Sequence, residues 1–83
     1  MQPPTVEPRA RARGVRIADE ALVVELTDGR TLTVPLDWFP RLARASPAAR
    51  DAWVLLGDGE GVHWPDADED LSIAGLLAGN DGR

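Results

Sequence analysis

His63 is the one histidine of the chain, and an acidic run, Asp66-Ala67-Asp68-Glu69-Asp70, follows it closely. An imidazole beside carboxylates is the raw material of acid–base catalysis or of a metal site. A catalytic base also needs an orienting acid and a nucleophile or substrate within reach. No nucleophile pattern such as Gly-x-Ser-x-Gly occurs. A hydrolase using His63 with Asp66 or Asp68 therefore has only sequence proximity behind it. A lone His cannot furnish the multi-His set of a zinc site. The absence of cysteine removes thiolate ligands, thiol nucleophiles and disulfides. Asp66, Asp68 and Asp70 open like an EF-hand loop, but the sixth position needs Gly and is Leu71, and the twelfth needs Glu and is Leu77. A calcium cage does not close, and the run retains at most weak cation binding at a surface. Asp58-Gly59-Glu60-Gly61 has two acids and no Lys, so it cannot cradle a phosphate. The expectation is no catalytic residue, no cofactor and no bound metal.

The elements that position these residues follow from apolar spacing. Residues 1–13, with their prolines and alternating arginines, read as a disordered tail. Order is expected from Gly14, with Val15 and Ile17 on a short strand and Asp19-Glu20 as a turn. Leu22, Val24 and Leu26 share one strand face, and Leu32, Val34 and Leu36 share the next. A two-residue Asp28-Gly29 loop would set these apolar faces on opposite sides. A three-residue loop, Thr27-Asp28-Gly29, pairs Leu22 with Val34 and Val24 with Leu32, which predicts a type I turn with Gly29 left-handed in a bulge. Pro35 ends the strand. Asp37 is expected to cap a helix over Trp38–Ala45, and Ser46-Pro47 to open another running to Leu56 with Ala49, Trp53 and Leu56 on one stripe. Gly57 ends it. Val62 and Trp64 face one way on a final strand and His63 the other. Asp70 or Ser72 caps a last helix on which Ile73, Leu76 and Leu77 share a face. The expected class is α+β: a small antiparallel sheet of a hairpin meander plus one later strand, packed with two to three short helices, in the order β-β-β-α-α-β-α. One domain spans 14–79, and 80–83 is a frayed end.

The aromatic residues are Trp38, Phe39, Trp53 and Trp64. A shared core accounts for them, with Trp38 and Trp64, both beside loops, the two that could anchor an interface.

Three separated segments carry a likeness. DGRTLTVPLDWFPRL, an Ala/Arg-rich helix with Trp53, and GVHWPDADEDLSIAGLLAG together resemble the domain of unknown function 2442, a family of small prokaryotic proteins. The match runs over residues 14–79, with Ala67 and Gly75 smaller than the family pattern. The resemblance implies a small α+β domain with an antiparallel sheet and no established enzymatic activity. It also implies that some relatives are encoded beside a second small protein, in pairs similar to toxin and antitoxin. It transfers no residue role. Trp38-Phe39-Pro40-Arg41-Leu42 and the segment from Trp64-Pro65 to Asp70 both fall at strand–helix junctions. If their strands are neighbours, Trp38, Arg41, Trp64, Asp66, Asp68 and Asp70 gather into an interaction patch, with Arg41 paired to Asp68 or Asp70.

Charge narrows the partner. The net charge is −5 and every cation is Arg. Residues 1–13 carry Arg9, Arg11 and Arg13 against Glu7, a net of +2; the remainder carries six Arg against thirteen acids, a net of −7. Phosphate contacts dominate nucleic-acid affinity, so the acidic body suits a small basic protein rather than DNA or RNA. A nucleic-acid-associated regulator acting through the Arg-containing tail is the alternative. A domain of this size buries a limited fraction of its surface, so a partner or a second copy would add stability. No apolar run is long enough to span a membrane, no signal-like core opens the chain, and cysteine-free composition fits the cytoplasm.

Overall fold

The computed structural model describes residues 10–78. Residues 1–9 and 79–83, which include most of the expected tail and the expected frayed end, lie outside the described residues.

β1 (Ala12–Ala18), β2 (Ala21–Leu26) and β3 (Thr31–Pro35) form an antiparallel meander in the order β1-β2-β3. Asp19 and Glu20 both take positive φ, 53° and 65°. This is the mirror-image turn whose twist matches a two-residue hairpin. The second hairpin has the register required by its apolar faces: Leu22 opposes Val34, and Val24 opposes Leu32. Gly29 has φ 96° and its N–H donates to the Leu26 carbonyl at 3.1 Å. The Arg30 N–H donates to Asp28 Oδ1 (3.0 Å) and Arg30 Nε to Oδ2 (2.8 Å). These bonds, the backbone one first, hold the Asp28 carboxyl below its ordinary value.

β1 starts two residues ahead of Gly14, the expected start of order. Register slips between Ala12, opposite Leu26, and Gly14, opposite Glu25, so Arg13 is an extra residue that bulges outward. The bulge turns Ala12 into the core. An Ala-Arg-Gly run has too little apolar pattern to announce this.

After β3 the chain makes a 3₁₀ turn, Leu36–Trp38, and then α1 (Pro40–Ala43). The expected continuous helix from Trp38 is broken at Phe39 (φ −128°, ψ 79°), because the residue before a proline is pushed out of helical geometry. Asp37 caps nothing. α2 (Pro47–Asp51) opens as expected, with Ser46 Oγ accepting the Ala49 N–H at 3.1 Å. It stops well short of Leu56. The Arg50 carbonyl accepts the Trp64 indole N–H (3.1 Å), and Val54–Leu56 instead form a strand, β4. β4 pairs with β5 (Gly61–Trp64), which pairs with β6 (Glu69–Ser72). The single later strand expected from the sequence is thus the middle of a second three-stranded sheet. α3 (Ile73–Leu77) is capped by Ser72, whose Oγ accepts the Gly75 N–H at 3.2 Å. Ile73 and Leu76 are buried, but Leu77 is exposed and leaves the expected stripe.

Both sheets turn one face to a common core. Leu22, Val24 and Leu26 of β2 meet Val62 and Trp64 of β5, Leu71 of β6, and Phe39, Leu42, Ile73 and Leu76 of the helical segments. Trp38 and Trp53 are half-buried at its rim. Among the described residues no helix is long and apolar enough to cross a membrane.

The β4–β5 turn ties the sheets together. The Ala12 N–H donates to the Gly59 carbonyl (2.7 Å) and the Ile73 N–H to the Glu60 carbonyl (3.0 Å). Gly59 has φ +96°, and a Cβ there would overlap the Ala12 carbonyl oxygen. Gly59→Ala is therefore expected to destabilise the domain by about 1–2 kcal/mol. Its signature is faster hydrogen exchange at the Ala12 and Thr27 amides, because the N-terminal end of β1 is the element free to move away.

Candidate functional site

The β5–β6 connection, Pro65-Asp66-Ala67-Asp68, carries the acidic run across from α1. Its first turn closes with the Ala67 N–H on the Trp64 carbonyl at 3.2 Å. Asp68 takes φ 54°, a left-handed conformation that Asp tolerates better than most residues. That geometry presents its carboxylate to Arg41. Arg41 Nη1 donates to Asp68 Oδ2 at 3.2 Å, and Nη2 to Glu69 Oε1 at 3.0 Å. The first acid is solvent-exposed; the second, at 4% side-chain exposure, is buried. Glu69 is the member sequence reasoning missed. Its signal is the strand pleat: Glu69 and Leu71 alternate inward while Asp70 and Ser72 alternate outward.

The six expected patch residues do not share one surface. β3 and β5 lie in different sheets, so the assumed strand neighbourhood does not exist, although Arg41 still reaches Asp68. Trp64 is fully buried and its indole N–H is taken by Arg50, so it is a core residue and cannot anchor a partner. Trp38 is half-buried against the core. Asp66 lines a shallow groove of about 400 Å³ together with Arg41, Arg44, Ser46 and Ala67. Asp70 is exposed on the outer face of β6, away from Arg41, and its cross-strand partner is His63. His63 in turn opposes Val54. Arg50 is a second residue that spacing alone did not single out. Its Nε and Nη2 donate to the carbonyls of Leu42 (3.2 Å) and Ala43 (2.6 Å), closing the end of α1 while its own carbonyl receives Trp64.

Chemically this arrangement is a half-exposed arginine bridging one exposed and one buried acid. Among the described residues no group of three or more His, Cys, Asp or Glu side chains is placed to hold a metal ion.

Residues 12–82 match the family described as protein of unknown function (DUF2442). The chain belongs to the DUF2442 family. A crystal structure of a protein of unknown function from Rhodospirillum rubrum is similar to this DUF2442 domain, with 35% identity and a TM-score of 0.75. The likeness covers 90% of this chain and 93% of that one. Comparison with curated proteins found no match. The DUF2442 match starts at Ala12, the first residue of β1, in step with the observed start of the fold.

Proposed function

We propose that this DUF2442 domain is a non-enzymatic, cytoplasmic protein-binding module that covers a small basic partner, in the manner of an antitoxin. One observation carries the reading. From Asp51 to Ala78 the chain holds Asp51, Asp58, Glu60, Asp66, Asp68, Glu69 and Asp70 and not one Arg or Lys. Of these only Glu69 is buried. Arg11 and Arg41 reach Asp58 and Asp68 from outside the segment, but Asp51, Glu60, Asp66 and Asp70 have no ion-pair partner among the described residues, and this excess of exposed acid favours an oppositely charged protein over polyanions. Such a module would mask a basic, nucleic-acid-facing surface and so neutralise it.

Affinity capture of the tagged chain from its native host, with sizing and intact mass of the complex, tests this. The expected result is one small basic protein at a fixed ratio, released as salt is raised. A solitary chain, or an acidic partner insensitive to salt, would overturn it.

A further inference from the structure

We propose that β4 and the outer face of its sheet form the docking surface, and that they take an extended segment of a partner protein in which apolar residues alternate with Lys or Arg. The segment would add as a further strand along β4. This rests on the protein-binding reading above and gives it a site.

Four large apolar side chains stand out as exposed among the described residues: Val54 (47%), Leu55 (38%), Leu56 (42%) and Leu77. Three are consecutive, and they are the whole of β4. β4 is an edge strand in the order β4-β5-β6, and no strand pairs along its far side, although β1 lies near it. Edge strands are ordinarily guarded by Lys, Pro, a bulge or a covering loop. Val-Leu-Leu has none of the guarding residue types, and its register with β5 is continuous.

Register fixes what surrounds it. Leu55, Val62 and Leu71 lie in one row on the face that carries the core, with Leu55 exposed at its edge; Val54, His63 and Asp70 form a row on the outer face, and Leu56, Gly61 and Ser72 the next. Gly61 lacks a side chain where one would meet the Leu71 carbonyl oxygen at 2.7 Å. The backbones approach closely there, and beside them lies a groove of about 400 Å³ lined by Leu56, Glu60, Gly61, Asp70, Leu71 and Ser72. No cation lines it, and neither Glu60 nor Asp70 has an ion-pair partner among the described residues.

Charge selects the occupant. Two copies meeting through this face would set acids against acids in a chain of net charge −5. A basic strand satisfies all three features at once: main-chain bonds to the β4 edge, apolar contacts to Val54 and Leu56, and cations on Glu60 and Asp70. Strand addition of this kind takes affinity from the backbone and specificity from alternate side chains.

The test is titration of the isotope-labelled full chain, followed by amide NMR, with a short synthetic peptide alternating arginine and valine. A peptide alternating glutamate and valine is the control. Shifts confined to β4, Gly61 and Asp70 are expected with the arginine peptide and none with the glutamate peptide. E60R/D70R and, separately, Leu56→Arg should each weaken binding at least ~10-fold while keeping the native spectrum; these side chains are exposed, and surface changes seldom unfold a domain. Shifts elsewhere, equal response to both peptides, or a concentration-dependent dimer abolished by Leu56→Arg would overturn the proposal. A captured basic partner that binds these variants as well as the native chain would sink this face and leave the protein-binding reading standing. Peptide binding here without a captured partner would do the reverse.

Discussion

Trp64→Ala is expected to cost roughly 3–5 kcal/mol, a large share of the stability that a domain of this size possesses at ~0.05–0.15 kcal/mol per residue. Two losses combine. The side chain is fully buried between the inner faces of both sheets and the helical segments, so truncation opens a cavity that neither rigid sheet can collapse to fill. The Arg50 carbonyl loses the indole N–H, and a buried acceptor left without a donor costs a further ~1–3 kcal/mol unless water enters. Trp64→Phe separates the two terms, since it keeps much of the volume and removes only the donor; about 1–2 kcal/mol is expected. Urea unfolding followed by far-ultraviolet circular dichroism measures both, free of interference from Trp38 and Trp53. A Trp64→Ala variant within 1 kcal/mol of native, a loss far below the usual aromatic truncation, would show that the indole is not the centre of this core.

Arg41→Met is expected to be the next most damaging change, at about 2 kcal/mol. Removing one partner of a fully buried ion pair typically costs ~3–5 kcal/mol, because a desolvated charge is left alone. Glu69 meets that condition, but the Arg41 side chain is 55% exposed, and water reaching it reduces the figure. Glu69→Gln added to Arg41→Met should recover most of the loss, and that non-additivity identifies the pair. Asp68→Ala should do little, since its carboxylate is 88% exposed and such pairs contribute weakly. The three variants together distinguish a structural bridge, in which only the Glu69 arm matters, from a surface contact in which both arms matter equally. Chemical denaturation of the single and double variants supplies the values.

The two hairpins of the first sheet were legible because their information is local. The side-chain period of a strand and the length of the Thr27-Asp28-Gly29 loop leave one register that brings Leu22, Val24, Leu32 and Val34 to the same face. The Ser46 and Ser72 caps were legible for the same reason. What escaped depends on distant partners. Val54-Leu55-Leu56 continues a helical stripe from Ala49 and Trp53, and it becomes a strand only because β5 lies alongside and Trp64 takes the Arg50 carbonyl. Glu69 sits in a run that reads as solvated, but the pleat of β6 turns it inward with Leu71, where Arg41 reaches it from α1. Trp64, read as a core aromatic that could also anchor an interface, stands beside a loop in sequence and at the middle of the core in space. The Arg41–Asp68 pair was anticipated. Its second arm and its separation from Asp70 required knowing that β3 and β5 belong to different sheets.

The turn between β4 and β5 accepts one amide from the first strand and one from the start of the last helix. These bonds differ in how much chain each must close. Ile73 to Glu60 spans a short loop, whereas Ala12 to Gly59 joins residues from opposite halves of the described chain. Loop-closure entropy rises slowly with length, yet it falls due before distant contacts reward it. The β1–β2–β3 meander and the β4–β5–β6 unit can each assemble from near neighbours, and their docking waits on the long closure. The meeting of the two halves is then expected to limit the folding rate. Substitutions at Gly59, whose carbonyl takes the Ala12 amide across the two halves, should slow folding as well as accelerate unfolding.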